Sequence, residues 1–256
     1  MYKSHPVEHD ALRKSAIVFS PHPDDETLGC GGTIIRKIRA GAEVKIVYMT
    51  DGSSSHSSFI CPTELATIRT AEALSACRVL GLPGEKVVFL EFKDQRLREF
   101  QKDAQEKVAR ILSTEKCEEI FIPYSGDSLN DHCATNSIVL RAVEKLQSNV
   151  MIYEYPIWFW HHWPWTSVTL SRRGDVFRKV RNSLLSWFGL MKKFRWSVCI
   201  RDVLEVKRLA LEQHKTQMTR LLSNVHWPVL NDVSNGEFLQ CFFQDVEVFH
   251  RHQLFR

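Results

Sequence analysis

The chain of 256 residues reads as an α/β protein, Rossmann-like and doubly wound, with a mainly parallel sheet, helices on both faces and a C-terminal elaboration. Three observations predict this. Five short runs rich in β-branched and aromatic residues are spaced through the first 156 positions. Helical apolar patterns fill the gaps between them. A strand, a helix and a further strand joined by short connections pair in parallel, and repeated alternation of this kind builds a doubly wound sheet.

Residues 1–13 read as a loose lead-in. Residues 16–19 are an apolar run of strand length, and residues 33–40 a helix stopped at Gly41. Residues 43–49 form the second strand, with a polar exit loop at 50–56. Pro62 and Thr63 open a helix that carries Leu65, Ile68, Leu74 and Leu80 and ends at Gly81. The third strand is 87–90, with Asp94 just past it, followed by a helix at 102–112. The fourth strand is 119–123, with an exit loop at 125–127, a helix at 134–146 and the fifth strand at 150–155. Beyond Pro156 the character changes: aromatics crowd 158–165, and basic residues interleave with apolar ones over 172–195. Helical periodicity over 200–222, ending near Asn224, and a helix or strand pair over 237–249 complete the chain. There is no internal repeat and no low-complexity linker. Residues 1–256 therefore read as one domain, an α/β core at 15–156 with a substrate-side and C-terminal elaboration at 157–256.

Composition is ordinary for a globular protein, with 44% hydrophobic and 25% charged residues. A net charge of +4 is too small to signal a nucleic-acid partner. The polar N-terminus lacks the apolar core of a signal peptide, and no apolar run nears the roughly 20 residues that span a bilayer. The seven cysteines are irregularly spaced, without a Cys-x-x-Cys pair. That pattern points to free thiols in a reducing compartment, the cytoplasm.

The chemistry concentrates at Pro21-His22-Pro23-Asp24-Asp25-Glu26. One His and three acids stand at a strand-to-helix junction, the edge where open α/β sheets bind ligands. Burying ionisable groups this close together is costly without a partner, and a metal cation is the partner that fits. A helix N-terminus favours an acid, but it does not account for the His or for Gly31-Gly32. Imidazole and carboxylate suit zinc, whose catalytic sites use three protein ligands and a water. His22 and Asp25 can reach one ion, which leaves Asp24 to act on the water. His132, in Asn130-Asp131-His132, follows the fourth strand and belongs on the same edge, which makes it the candidate third ligand. A nucleotide- or sugar-binding module is the alternative. A dinucleotide turn, however, needs Gly-x-Gly-x-x-Gly where this chain has acids that would repel a pyrophosphate.

These residues, with Gly29, Gly31-Gly32, Asp131-His132 and Ala134-Thr135, resemble the PIG-L/LmbE-like family of zinc-dependent N-acetylglucosamine deacetylases. Thr50-Asp51-Gly52, Arg69 with Glu72, Leu80-Gly81-Leu82 and Asp94 extend the similarity over residues 15–156. The resemblance implies one Zn2+ per chain, held by His22, Asp25 and His132, with Asp24 as general base. It implies removal of the acetyl group from an N-acetylated amino sugar (a glycoconjugate, a lipid-linked sugar or a small-molecule conjugate) by Asp-assisted attack of zinc-bound water. A zinc amidohydrolase acting on a non-sugar amide is the alternative within the same chemistry. Arg69 and Asp94 look like contacts to substrate hydroxyls or a headgroup. They also read as an ion pair of Arg69 with Glu72 or Asp94, and as a turn cap at Asp94. Cys30 reads as a buried structural thiol.

One departure stands out. Many relatives carry His-Pro-Asp-His where this chain has Leu129-Asn130-Asp131-His132. The Leu129 side chain has no proton to donate, so a second donor to the oxyanion must come from elsewhere. His214 is a candidate: it lies seven residues after Lys207, on the same expected helix face, in a Lys, Ala, His, Gln pattern similar to the family's. Asp131 reads as an acid orienting a His, or as a helix-start cap. The aromatics of 158–165 read as core or subunit contact rather than as a sugar-stacking surface. The basic segment 172–195 fits a mobile loop or a packing helix with a solvated basic face better than an amphipathic helix in peripheral contact with a membrane or a lipid-linked substrate.

Overall fold

In the computed structural model, which describes residues 4–162, 181, 192–222 and 226–255, the apolar runs pair into one sheet. Its strands are β1 (His5–Pro6), β2 (Ala16–Ser20), β3 (Val44–Thr50), β4 (Val87–Phe92), β5 (Glu119–Pro123), β6 (Met151–Tyr155), β7 (Trp196–Cys199) and β8 (Val246–Gln253). Among the described residues their order is β1-β7-β8-β6-β5-β2-β3-β4. The five strands from β4 to β6 are parallel throughout, as the alternation predicts. Strand β8 runs antiparallel to both β6 and β7.

The helices are α1 (Asp25–Arg39), α2 (Pro62–Leu80), α3 (Gln101–Thr114), α4 (Asn130–Leu146), α5 (Leu204–Leu211), α6 (Lys215–Met218) and α7 (Glu237–Gln240). Side chains alternate across a strand, so each strand feeds two cores. Val18, Ile46 and Phe121 pack with Leu28 and Ile34 of α1 on one face. Ile17, Phe19, Val47 and Ile122 pack with Val108 of α3 and Ile138 and Val143 of α4 on the other. Burying such a side chain stabilises the fold by about 1.5–3 kcal/mol. Coverage on both faces is why the strands read as continuous apolar runs.

Strands β2 and β5 are neighbours whose connections leave in opposite directions, to β3 on one side and β6 on the other. The crevice beyond their carboxyl ends is the ligand position of such a sheet. It receives the loop from β2 into α1 and the loop from β5 into α4.

Several elements differ from the expectation. The lead-in is tied down: β1 pairs in parallel with β7, and residues His9–Arg13 form a 3-10 turn. Helix α1 begins at Asp25, eight residues before the expected start, with a kink at Cys30 (φ −147°, ψ 19°). Its glycines are there for packing, not termination. A Cβ on Gly29 would lie 2.2 Å from the Tyr155 ring, so close approach of α1 to β6 outweighs the roughly 1 kcal/mol that a helical glycine costs. Helix α4 likewise begins at Asn130, which puts Asp131 and His132 in its first turn. The long helix expected over 200–222 is broken into α5 and α6, with His214 in the break (φ −78°, ψ 64°). Lys207 and His214 therefore share no continuous helix face. The expected C-terminal pair resolves into α7 and β8, while β7 went unpredicted. Trp163, Trp165, Asn224 and most of 172–195 lie outside the described residues. No helix among the described residues is long and apolar enough to cross a membrane.

Candidate active site

Ser20 ends β2 by donating its hydroxyl to His22 O at 2.7 Å, which turns the chain over the sheet edge. Asp24 follows with φ +134°, a conformation L-residues rarely adopt. Such strain costs about 1–3 kcal/mol and persists only where surroundings enforce it. Here Glu26 enforces it, since Glu26 Oε2 accepts the Asp24 N–H at 3.1 Å. Arg69 of α2 holds the same turn from the other side. Its guanidinium donates to Pro23 O and to Gly52 O, and Nη2 lies 3.3 Å from Asp24 Oδ2. Gly52 has φ +63°, and a Cβ there would meet Arg69 Nη1 at 2.7 Å.

His22, Asp25 and His132 come together as the motif predicts. Asp25 Oδ2 lies 3.1 Å from His22 Nδ1 and 3.2 Å from His132 Nε2, and one ligand atom from each residue falls within 4.8 Å of the others. His132 is sealed from solvent, and its Nε2 has no hydrogen-bond partner of good geometry. A buried polar atom left this way calls for a partner. Two imidazoles and one carboxylate are the donor set zinc takes in catalytic sites, so these three residues fit a divalent ion.

Charge supports the same reading. Burial disfavours the imidazolium of His132, but the Asp25 and Asp127 carboxylates carry its pKa up to about 9. Burial also opposes ionisation of Asp25, yet His132 and His22 hold it well below the usual carboxylate range. Burial pushes Asp24 up to about 7, against the pull of Arg69. Acids crowded around two imidazoles favour bound protons, and a metal ion competes for the same place.

Residues 17–143 match the family model described as PIG-L: GlcNAc-PI de-N-acetylase. That stretch, just under half of the chain, is a PIG-L domain. It is 23% identical to the diacetylchitobiose deacetylase of Thermococcus kodakarensis, over 86% of this chain and 76% of that one. It is 25% identical to the 1D-myo-inositol 2-acetamido-2-deoxy-α-D-glucopyranoside deacetylase of Mycobacterium sp. strain KMS, over 77% and 72%. Its fold is similar to that of the N,N'-diacetylchitobiose deacetylase from Pyrococcus horikoshii, with a TM-score of 0.66 and 21% identity over 93% of this chain and 84% of that one. Both curated relatives are named as deacetylases, which are hydrolases of amide carbon–nitrogen bonds.

The remaining candidates divide in two. Asp94 and Asp131 stand in the PIG-L site beside His22, with oxygens 3.2 and 3.4 Å from its Nε2. Asp94 also accepts the Ser54 N–H at 2.8 Å, and Asp131 accepts the Gln95 N–H at 2.6 Å. Burial opposes the charge on Asp94, but His22 brings its pKa down to about 2. Arg69 pairs with Asp24 and not with Glu72, which instead holds Thr216 N and Oγ1 of α6. His214 is not on the cavity wall. It is buried behind Asp24, with Nε2 3.3 Å from Glu26 Oε1.

The cavity over these groups has a volume of about 490 Å³. Asp24, Arg69 and Asp94 give it a polar floor, while Leu129, Trp158 and Phe238 give it apolar walls. Trp158 stacks on Phe238 at 4.9 Å and packs against the hydrophobic core, in keeping with the expectation, while its other side lines the cavity. Phe159 goes to the core as well, against Tyr124 and Phe194. Sequence reasoning missed Asp127. Its Oδ2 lies 3.0 Å from His132 Nδ1 and accepts the N–H groups of Ile157 and Trp158. The available signal was an acid in a strand exit loop close to a candidate metal-ligand His.

Proposed function

We propose that this chain is a zinc-dependent N-deacetylase of an N-acetylated amino sugar. The observation that carries the reading is the buried Nε2 of His132, without a hydrogen-bond partner and aimed at the Asp25 oxygen that His22 also meets. His22, Asp25 and His132 would hold the ion, with Asp127 fixing the His132 tautomer so that Nε2 presents its lone pair. When bound, the ion supplies Lewis-acid activation of a water molecule and of an amide carbonyl.

The chain's own residues do the rest. Asp24 Oδ2 is committed to Arg69, which leaves Oδ1 to take a proton from the attacking water. The same oxygen can return that proton to the departing amine. Arg69 acts on Asp24 rather than on substrate, because its Nη groups are spent on Pro23 O, Gly52 O and Asp24. His214 acts through Glu26, which fixes the strained Asp24 backbone. Asp131 ties the loop after β4 to the His22 ring. Trp158 and Phe238 offer an apolar wall to a sugar face, and the names of the two curated relatives support an N-acetylglucosamine-type substrate.

An acetate-release screen over N-acetyl sugars, nucleotide sugars and lipid-linked sugars tests this. The Asp24→Asn variant is expected to keep its zinc and to lose turnover by about 10²–10⁴-fold. Wild-type rates in that variant would sink the assignment of the base.

A further inference from the structure

A second cluster of metal-ligand side chains lies outside the deacetylase site. Glu154 of β6 pairs across the antiparallel ladder with His250 of β8, and His252 is two residues further along β8. A period of two puts both imidazoles on one face of the sheet, with the carboxylate directly opposite one and diagonal to the other. Glu154 Oε1 lies 3.0 Å from His252 Nε2 and 3.8 Å from His250 Nδ1. One ligand atom from each of the three falls within 4.8 Å of the others.

From these contacts we propose that Glu154, His250 and His252 form a second divalent-metal site, of the zinc class, that pins β8 to β6. Metal–ligand bonds of about 2.0–2.2 Å place neighbouring ligand atoms roughly 3.0–3.5 Å apart, so small rotamer adjustments close the triad on one ion. His250 Nδ1 is shielded and has no hydrogen-bond partner, although it faces the carboxylate. The second oxygen of Glu154 accepts the Ser125 N–H at 2.8 Å, the kind of outer contact that orients a ligating carboxylate. Burial opposes charge on Glu154, but its contacts with His250, His252 and the Ser125 N–H hold its pKa well below the usual range. Two imidazoles with one carboxylate suit Zn2+, Co2+ or Ni2+ rather than Mg2+ or Ca2+. Both imidazoles are about a quarter exposed, at 29% and 25%, so an ion can enter and complete its shell with water. The strand it would fasten is structurally important: Glu247 of β8 accepts the N–H groups of Gly32 and Thr33 of α1 and pairs with Lys207.

The test is a Zn2+ titration of chelator-stripped full-length protein, read by equilibrium dialysis with elemental analysis and by melting temperature. Wild type should bind about two ions per chain, one at each three-residue set. His250→Ala/His252→Ala should bind one fewer and lose one of two saturable rises in melting temperature. Glu154→Gln, which removes a charge at nearly constant shape, should do the same if the double variant folds poorly. A His22→Ala/His132→Ala variant should keep the Glu154 ion, which separates this outcome from failure of the deacetylase assignment. Equal zinc content in wild type, the His250/His252 variant and Glu154→Gln would overturn the proposal and leave an ordinary ion pair.

Discussion

Asp127 Oδ2 lies 3.0 Å from His132 Nδ1, with both side chains enclosed, so the orientation of a proposed metal ligand is set by a carboxylate five residues upstream. Removing such a partner typically lowers metal affinity about 10–100-fold. Asp127→Asn is therefore expected to bind zinc about 10–100-fold more weakly in a chelator competition, with activity recovered at excess zinc. Unchanged affinity would assign Asp127 to the loop alone, through the N–H groups of Ile157 and Trp158.

Arg69 is buried, with its Nη groups held by backbone carbonyls and Asp24. Lysine keeps the charge but cannot reproduce the planar fork. Arg69→Lys should lower kcat roughly 10-fold or more, as expected when a base is misplaced, while KM and zinc content change little. A raised KM at constant kcat would return Arg69 to substrate binding.

Gly52 shares that geometry. Gly52→Ala places a methyl 2.7 Å from Arg69 Nη1 at φ +63°. Strain at such a residue costs about 1–2 kcal/mol, to which displacement of Arg69 adds. Denaturant melts should register the lost stability, and activity should fall as it does in Arg69→Lys. Wild-type activity would mean that Asp24 does not depend on the guanidinium position.

Lys207 Nζ is enclosed between Glu247 at 2.8 Å, Leu28 O at 2.9 Å and Phe242 O at 2.8 Å. Breaking a buried pair by removing one partner costs about 3–5 kcal/mol. Lys207→Ala should lower the melting temperature by on the order of 10 °C, at about 2–4 °C per kcal/mol for a chain of this size. Lys207→Met/Glu247→Gln, which leaves no bare charge, should recover part of the loss.

Thiol reactivity should follow burial and hydrogen bonding. Cys61 is exposed at the start of α2, and the Thr63 hydroxyl 3.2 Å away, with backbone N–H groups, lowers its pKa. Burial pushes Cys77 up to about 12 and holds Cys30 well above the ordinary thiol value. The thiolate is the nucleophile, so alkylation of Cys61 should level off at a lower pH than that of a free thiol. Cys30 and Cys77 should label only after denaturation. A mass-spectrometric time course across pH checks both, and early labelling of Cys77 would contradict the packing around Tyr48.

Much of the fold and half of the site were legible in the residues. The five core strands fall where apolar runs of strand length occur, because a sheet covered on both faces requires such runs. Helix α2 was readable from Pro62 to Gly81, since proline and a left-handed glycine (φ 96°) punctuate it. The starts of α1 and α4 were not: Gly29 sits inside α1 because of its close approach to Tyr155, and Leu129 at the N-cap of α4 makes no side-chain capping hydrogen bond. The break at His214 was hidden by an apolar period that continues across it.

His22, Asp24, Asp25 and His132 are marked by residue type and by position at strand ends, which is chemistry written along the chain. What separates the two adjacent acids is spatial. Asp25 meets two imidazoles, while Asp24 meets Arg69 from another helix and is bent to φ +134° by Glu26. The parts played by Asp127, Trp158, Glu26 and the Glu154 triad likewise depend on sheet order and strand register. Those bring together side chains far apart in the chain, 98 positions in the case of Glu154 and His252. Local pattern can announce a ligand, but its partners are chosen by packing between segments that the chain keeps far apart.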